Sequence, residues 1–535
     1  MNAPRGVSPS PGTCHAGGWP ASPGEPLETR TKADNWRSPC HLHIQRQRCD
    51  LRILVGWTDR IATVPASFRF VDLFAGVGGF HATLKSLGGE CAYAVEIDRA
   101  AAEVYRRNWG HDPLGDITAD ANDDTMKVPA HDVLVAGFPC QPFSKSGAQR
   151  GMDEARGTLY WHILKIIEAH KPSVVLLENV RNLAGPRHAH EWQVIIETLR
   201  EQGYRVADEP AIFSPHLLPP ERGGRPQVRE RVFITATHDP DGVFEGLPAR
   251  PVAFANQRIG DWTPQLEWHL EDLLDDAHAI PGCELTSNER LWINAWDEFV
   301  CEMRERINDR PLPGFQIWGD SWRDADEVVL RFGGALPTYL ELMHDDPSIP
   351  RWKASHLVKN WSLYLEHRDY IDGWASKWDL FGPRFPASRR KLEWQAQDAP
   401  SLWDTVMHFR PSGIRAKKAT YLPALVAITQ TSIIGPRERR LSPRETARLQ
   451  GLPDTFDFGT QSPSATYKQM GNGVNVGVIW HIFREHVKRD EDILKRTEAG
   501  SRILSAVDVA PVSPDDLLAQ HVPAELGANS DNIPQ

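Results

Sequence analysis

From residue 68 to about residue 240, short apolar runs alternate with segments whose apolar residues recur every three or four positions. The apolar runs predict strands, and they read FRFVDL, CAYAVEID, HDVLVAGF, PSVVLLENV and RVFITATH. The segments with helical spacing predict helices, and they read HATLKSLGG, RAAAEVYRRNW, TLYWHILKIIEAHK and EWQVIIETLREQG. Strands that are apolar along nearly their whole length are typical of a parallel sheet covered by helices on both faces. The pattern therefore predicts an α/β fold with such a sheet.

The rest of the chain has a different pattern of apolar and polar residues. Residues 240–405 are rich in tryptophan and acidic residues without clean alternation, which predicts a separate mixed α and β module whose tryptophans form a core. Residues 406–488 become compact again and end in GNGVNVGVIWHIFREHV, which predicts a loop and a helix that close the domain begun at 68–239. The polar tail 489–535 is predicted to be disordered, and the Pro-, Gly- and Ser-rich residues 1–67 to be disordered or an upstream extension.

Composition narrows the possible settings. The 535 residues carry a net charge of −11, from 60 basic and 71 acidic side chains, which argues weakly against a polyanionic partner. Arginine clusters at 221–231, 410–418 and 435–445 are nevertheless either phosphate-binding patches or solvated surface. A membrane span would need about eighteen consecutive apolar residues, and a secreted chain an apolar leader; neither is visible. We therefore expect a cytoplasmic protein without a membrane partner.

The seven cysteines are few and irregularly spaced, which is typical of a reduced compartment. Cys14, Cys40 and Cys49 lie near His41 and His43, but their spacing fits no standard zinc finger. We predict no metal site.

A glycine turn follows the first predicted strand, in the segment DLFAGVGGF. Gly76, Gly78 and Gly79 would allow a tight turn and the close approach of a ligand to the backbone. Glu96 ends the second predicted strand, where a carboxylate can accept hydrogen bonds from both hydroxyls of a ribose. Because the glycine pattern is not the full dinucleotide fingerprint, the pair favours a nucleoside cofactor without a pyrophosphate, such as S-adenosylmethionine.

Two further chemical groups follow the third and fourth predicted strands. Cys140 comes directly after HDVLVAGFP, and Glu178 ends PSVVLLENV. Because ligands bind beyond the carboxyl ends of parallel strands, both residues are expected on the edge that carries Gly76 and Glu96. A thiol and a carboxyl group there indicate a nucleophile and an acid. The alternative is a small buried cysteine and a capped surface acid.

These motifs resemble those of the DNA (cytosine-5)-methyltransferases, in the same order. They are DLFAGVGGF, VEID, GDI, GFPCQPFS, RGTLYWHI, ENV, QVRER and YKQMGNGV. The resemblance covers residues 68–236 and about 408–486, and it is most specific in PCQ after one strand and ENV after the next. It implies the Rossmann-like sheet of an S-adenosylmethionine-dependent methyltransferase, with a target-recognition module at 240–405.

The resemblance also implies the cofactor site. The implied contacts of S-adenosylmethionine are Phe74, Gly76, Gly78, Gly79, Glu96, Ile97, Asp116, Asn472 and Val474. The glycine turn would surround the amino acid part, and Glu96 would bind the ribose. Ile97 would pack on the adenine, and Asp116 would lie near its amino group. The loop that contains Asn472 would close the pocket from the far end of the chain.

For catalysis, the resemblance implies that Cys140 attacks carbon 6 of a cytosine and that Glu178 contacts its N3. Arg229 would help to bind the base and the groups beside the cysteine, whereas Gln227 and Arg231 would be structural. Further substrate contacts are expected from Pro139, Gln141, Ser144, Asn179 and Val180. The base must leave the duplex to be reached. The loop 144–147 either closes over it or is an ordinary connection.

The expected function is therefore sequence-specific methylation of cytosine in duplex DNA. We expect the recognition module to contact base edges, and Arg415, Lys417 and Lys418 to contact phosphates. The resemblance further implies a monomer that protects host DNA in a bacterial restriction–modification system, with an endonuclease that shares its site. Two alternatives remain open: a tRNA-cytosine methyltransferase of the same fold, although its module would be much shorter, and a non-catalytic DNA-binding regulator.

Overall fold

A computed structural model describes residues 68–139, 158–244, 247, 249–255, 257–308, 311–426 and 431–524. The strands of this part are β1 Phe68–Leu73, β2 Gly89–Val95, β3 Val133–Gly137, β4 Val174–Val180, β5 Tyr204–Val206, β6 Ala211–Phe213, β7 Gln227–Val228, β8 Arg231–His238, β9 Ile317–Trp318, β10 Lys391–Gln395, β11 Thr405–Arg410, β12 Gly413–Lys418, β13 Leu422–Pro423, β14 Ile433–Ile434 and β15 Arg439–Arg440.

The helices connect these strands and cover the sheets. They are α1 Gly79–Ser86, α2 Arg99–Trp109, α3 Ile117–Asp120, α4 Leu159–His170, α5 Ala189–Glu201, α6 Pro264–Glu267, α7 Ser287–Arg306, α8 Gly319–Trp322, α9 Ala325–Arg331, α10 Tyr339–Asp345, α11 Arg351–Glu366, α12 Arg368–Lys377, α13 Pro443–Leu449, α14 Pro463–Asn472, α15 Val476–Arg489, α16 Glu491–Leu494, α17 Glu498–Val509 and α18 Asp515–Leu518. None of the described helices is long and apolar enough to cross a membrane.

The first sheet has seven strands in the order β2-β1-β3-β4-β8-β5, with β6 also paired to β8. One face packs on α4 and α5 through residues such as Ile163 and Ile195. The other packs on α1, α15 and α17 through residues such as Phe80 and Phe483. The strands are buried on both faces, which explains their nearly unbroken apolar sequences. The predicted α/β class is confirmed.

Strand direction differs from the prediction for one strand of this sheet, β8. β2, β1, β3 and β4 are parallel, as predicted. β8 runs antiparallel to β4, so the prediction of a parallel sheet was wrong for β8. β5 and β6 run antiparallel to β8 and therefore in the same direction as β1 to β4. A strand buried on both faces is apolar in either direction, and its sequence therefore does not record its direction.

Helix α2 shows how local sequence sets the position of the site. The Asp98 side chain accepts hydrogen bonds from the backbone N–H groups of Ala100 and Ala101 and so begins the helix. Gly110, with φ of 76°, ends it in the left-handed conformation that glycine adopts without strain. The capping residue lies two residues after Glu96. The capping residue therefore also fixes the end of β2 at the edge of the sheet.

The second sheet belongs to the tryptophan-rich part of the chain. Its six strands lie in the order β15-β14-β11-β12-β10-β9, so it draws strands from both sides of residue 405. One face packs against helices α7 to α12 around Trp296, Trp322, Trp361 and Trp374, all buried. Trp352 is 62% exposed. The prediction that the tryptophans mainly form a core is confirmed for these four buried residues.

The segment after residue 490 forms helices α16, α17 and α18, and the predicted disorder was wrong as far as residue 524. Ile503 and Val507 of α17 are fully buried against the first sheet's core. These apolar positions recur four residues apart within a polar segment, and the low overall hydropathy concealed them. Residues 1–67 and 525–535 lie outside the described part, and with them the cysteines and histidines considered for zinc.

Candidate active site

A cavity of about 560 Å³ opens at the carboxyl ends of the parallel strands β1 to β4. Among the predicted site residues, those that line it are Phe74, Gly76, Gly79, Glu96, Ile97, Asp116, Pro139, Glu178, Asn179, Val180, Asn472 and Val474. They come from both ends of the chain and meet in one place. Such a crevice beyond the carboxyl ends of parallel strands is where ligands bind in open α/β sheets.

The glycine turn forms one wall of this cavity. Phe74 has φ of 57°, which is uncommon for a residue with a side chain, and Gly76 has φ of 55°. A Cβ on Gly76 would meet nothing within 4 Å. A Cβ on Gly79 would lie 2.7 Å from Cγ2 of Val474. The turn thus leaves open space at Gly76 and brings the far end of the chain into contact at Gly79.

Glu96 faces the turn with a fixed carboxylate. The N–H of Gly76 donates to its Oε2 at 2.8 Å, and the N–H of Asp98 donates to its Oε1 at 2.8 Å. Each carboxylate oxygen can accept further hydrogen bonds beyond these. The carboxylate is therefore held in place with acceptor capacity left for a ligand.

Ile97 and Asp116 form the neighbouring wall. Ile97 is 72% exposed, which makes it an apolar surface for a flat ring. Asp116 begins α3, and its Oδ1 accepts hydrogen bonds from the N–H and hydroxyl of Thr118 at 2.9 and 2.8 Å. The carboxylate is thereby fixed at the cavity edge.

Two residues that line the cavity, Asp98 and Lys468, were not predicted from the sequence. The Lys468 ammonium lies 2.8 Å from Oδ2 of Asp98, so α14 and the start of α2 are joined across the cavity. The motif YKQMGNGV could have indicated Lys468, because this residue precedes Asn472 by one helical turn and so lies on the same face of the helix.

Glu178 lines the cavity at the end of β4. It pairs with Gly137 in the parallel register of β3 and β4, and it is 8% exposed. Its Oε1 lies 3.0 Å from Nε of Arg231. Burial raises the pKa of Glu178, although the charges of Arg231 and Arg229 oppose this shift. The environment therefore favours the protonated carboxyl more than water does.

Asn179 ties the end of β4 to the segment before the predicted nucleophile. Its Nδ2 donates to the carbonyl of Phe138 at 2.8 Å, and its Oδ1 accepts from the N–H of Val180 at 2.8 Å. Pro139 follows as the last described residue of this segment. Cys140, Gln141 and Ser144 lie outside the described residues, and their roles stay predictions.

The two arginines of QVRER lie differently from the prediction. Arg229 does not line the cavity; its guanidinium donates to the carbonyls of Leu425, Gly471 and Gly473 at 3.0, 2.9 and 2.6 Å. Arg231 lines the cavity and pairs with Glu178. Arg231 thus lies nearer the cavity than Arg229, and which of the two contacts the base stays a prediction.

The different positions of the two arginines have a local cause. Residues two apart on a regular strand point to the same face, so their spacing does not separate their roles. The backbone between β7 and β8 is irregular, and it is this break that turns the two side chains apart. Arg229 instead holds the end of α14 and the residue after it, next to Asn472 and Val474.

The arginine clusters also separate into structural and exposed groups. Arg439 is 1% exposed, and its guanidinium lies 2.7 Å from a carboxylate oxygen of Glu445, so it is neither a phosphate contact nor surface. Arg415 lies 2.7 Å from Glu393, and Lys418 pairs with Asp398. Those pairings occupy two of the three cations predicted to contact phosphates.

Arg410 and Lys417 form no ion pair with a described residue, and Arg415 lies close to both. Burial, and then the charge of Arg415, lowers the pKa of each. Burial mainly, with a smaller effect from Lys417, lowers the pKa of His216 to about 4. Lys417 therefore lies near His216.

Comparisons with known proteins agree on one family. The sequence model described as C-5 cytosine-specific DNA methylase matches residues 68–488. The Type II methyltransferase M.AluI of Cellulosimicrobium cellulans is 53% identical over 503 residues, covering 83% of this chain and 96% of that protein. The Type II methyltransferase M.HhaI of Haemophilus parahaemolyticus is 45% identical over 414 residues, covering 77% and 92%.

Proposed function

Because this chain belongs to the family of C-5 cytosine-specific DNA methylases, we propose that it transfers a methyl group from S-adenosylmethionine to carbon 5 of cytosine in duplex DNA. One observation carries the proposal. The fixed carboxylate of Glu96 and the buried carboxyl of Glu178 open into the same cavity, which is of a size typical for small-molecule sites. One group suits a ribose and the other a pyrimidine ring.

The charges of the cavity support this cofactor. Its acidic lining residues are Glu96, Asp98, Asp116 and Glu178, and its basic ones are Arg231 and Lys468. Both cations are paired with carboxylates of the cavity itself. The lining thus suits a cationic sulfonium and lacks the free cations that a pyrophosphate would need. S-adenosylmethionine would supply an electrophilic methyl group there.

For the base, the proposal assigns the nucleophile to Cys140. The thiolate adds to carbon 6 of the extruded cytosine, which makes carbon 5 nucleophilic enough to take the methyl group. Loss of the proton from carbon 5 then breaks the bond between Sγ and carbon 6 and restores the thiolate. A free thiol has a pKa of about 8.5, so the reaction needs surroundings that favour the anion.

Glu178 offsets the electron density that builds on the ring during the attack. A protonated carboxyl donates to N3, and the raised pKa of Glu178 supports that role. Arg231 lies against the same carboxyl and holds its orientation. We assign to Arg231 the position beside the base that the sequence alone gave to Arg229.

Duplex DNA is the proposed substrate because the second sheet presents cations that form no ion pair with a described residue. Arg410 and Lys417 are partly buried without an ion-pair partner among the described residues, in a chain of net charge −11. Phosphates would compensate these charges. The similarity to Type II methyltransferases supports a role in protecting host DNA within a restriction–modification system.

The test is methyl transfer from labelled S-adenosylmethionine to duplex oligonucleotides, with tRNA as the competing substrate. Bisulfite sequencing of a plasmid from expressing cells identifies the methylated cytosine. We expect label in duplex DNA alone, and a covalent complex with DNA that carries 5-fluorocytosine at that position. The Cys140→Ser variant should form neither product. Label in tRNA alone, or undiminished transfer by Cys140→Ser, would overturn the proposal.

A further inference from the structure

Residues 498–524 form a C-terminal strap that lies beyond the region matched by the family model, which ends at residue 488. The strap begins with α17, whose residues Ile503 and Val507 are fully buried in the core of the first sheet. It continues across the molecule, where the N–H of the Trp480 ring donates to the carbonyl of Val512 at 3.2 Å. Its path is therefore anchored well before it reaches the site.

A second anchor lies at α18. The Arg225 guanidinium donates to both carboxylate oxygens of Asp515 at 2.7 and 3.1 Å. Leu518 is buried in the same cluster as Val77 and Trp109. Two parallel hydrogen bonds fix direction as well as distance. The strap therefore approaches the glycine turn from the side on which Trp109 lies.

The strap ends on Trp109. The His521 ring centroid lies 4.7 Å from that of Trp109, and Nε2 of His521 lies 3.2 Å from Oδ1 of Asn108. His81 stacks on the same tryptophan, with ring centroids 4.6 Å apart. Trp109 is therefore held by two histidines, one from α1 and one from the strap.

Trp109 in turn supports the glycine turn. Its ring N–H donates to the carbonyl of Val77 at 3.0 Å. A Cβ on Gly78, which has φ of 93°, would lie 2.1 Å from the same ring nitrogen. The tryptophan thus fills the space behind the turn, and any movement of its ring would shift the wall of the cofactor cavity.

We propose that His521 is a positioning residue: through the strap it holds Trp109 against the glycine turn and so fixes the cofactor cavity. This inference rests on the proposed function for its effect on S-adenosylmethionine, but its effect on the turn itself needs no ligand. The support comes from residues beyond 488, where the match to the family model ends.

The test uses full-length protein with His521→Ala, the conservative His521→Phe, and Val522→Ala as a control at a position that is 64% exposed. Loss of one aromatic contact should raise the Kd of S-adenosylmethionine, measured by calorimetry without DNA, about fivefold. The kcat at saturating cofactor should not change. His521→Phe keeps a ring on Trp109 and should restore the Kd, and Val522→Ala should leave it unchanged.

Hydrogen exchange of the cofactor-free protein supplies the second measurement. We expect faster exchange of the backbone amides at 76–79 in His521→Ala, with no change in β3 and β4. Unchanged Kd and unchanged exchange in that variant would overturn the inference, and so would faster exchange throughout the sheet. Wild-type protein that fails to bind S-adenosylmethionine would refute the proposed function, whereas the exchange experiment would still decide the role of His521.

Discussion

Arg229 and Arg231 lie two residues apart, and the structure predicts opposite consequences for their replacement by glutamine. Arg229 donates to three backbone carbonyls, two of which lie at the C-terminal end of α14, in the wall of the cofactor cavity. A hydrogen bond from a charged group contributes about 1.5–3 kcal/mol, and the contributions are not additive. We therefore expect Arg229→Gln to lower the free energy of unfolding by about 3–5 kcal/mol.

The same change should weaken cofactor binding, because Gly471 and Gly473 flank Asn472 in the cavity wall. Arg231→Gln should behave differently. Burial already favours the protonated form of its partner Glu178, which can take up a proton when the arginine is lost, so the stability cost should be small, about 1 kcal/mol. Since Arg231 lies against Glu178, its loss should lower kcat about 100-fold. The Kd of the cofactor should stay near the wild-type value.

Urea unfolding, calorimetry with S-adenosylmethionine and single-turnover methylation of duplex DNA separate these effects. The assignment would be refuted if Arg229→Gln kept its stability and cofactor affinity but lost turnover while Arg231→Gln stayed active. Such a result would restore the roles expected from the sequence. Equal losses in all three measurements for both variants would also refute it, because the two side chains would then act as one unit.

Three further substitutions test other parts of the structure. Burial raises the pKa of Asp72 well above its usual value, so at pH values above the unfolded pKa of about 3.9 this carboxyl lowers the free energy of unfolding. Asp72→Asn should therefore raise Tm at pH 7, and the gain in Tm should shrink as the pH falls to 4. Gly79→Ala would place a Cβ 2.7 Å from Val474, and we expect calorimetry to show about a tenfold higher Kd of the cofactor, whereas an unchanged Kd would contradict the close approach. Lys417→Gln should weaken DNA binding in fluorescence titrations and reduce the slope of log K against log salt by about 1; an unchanged slope would remove Lys417 from the DNA interface.

Local pattern predicted the elements of the first sheet well. The predicted helix RAAAEVYRRNW is α2, and the predicted strand RVFITATH is β8, residue for residue. The secondary structure of these segments is encoded in a few neighbouring positions, by the spacing of apolar residues and, for α2, by the capping residue Asp98. The cavity could also be anticipated, because parallel strands bring their carboxyl ends to one edge.

Features that depend on distant contacts were not readable. The direction of β8 depends on how the chain returns to the sheet, and the sequence of a strand buried on both faces does not contain it. The roles of Arg229 and Arg231 depend on which carbonyls and carboxylates lie opposite, up to 244 positions away along the chain. The strap was missed because its buried face is formed by few residues, such as Ile503 and Val507, in a polar segment.

The contact between Gly79 and Val474 has a consequence for synthesis of the protein. When residues 68–238 have left the ribosome, every strand of the first sheet has been synthesised. Helix α15, which packs on α1, has not yet been synthesised, and neither has the cavity wall at Val474. The growing polypeptide therefore carries an incomplete crevice with apolar residues such as Phe68 and Phe80 uncovered. Competence to methylate can arise only after translation has nearly ended, and a prematurely terminated chain would be inactive and prone to aggregate.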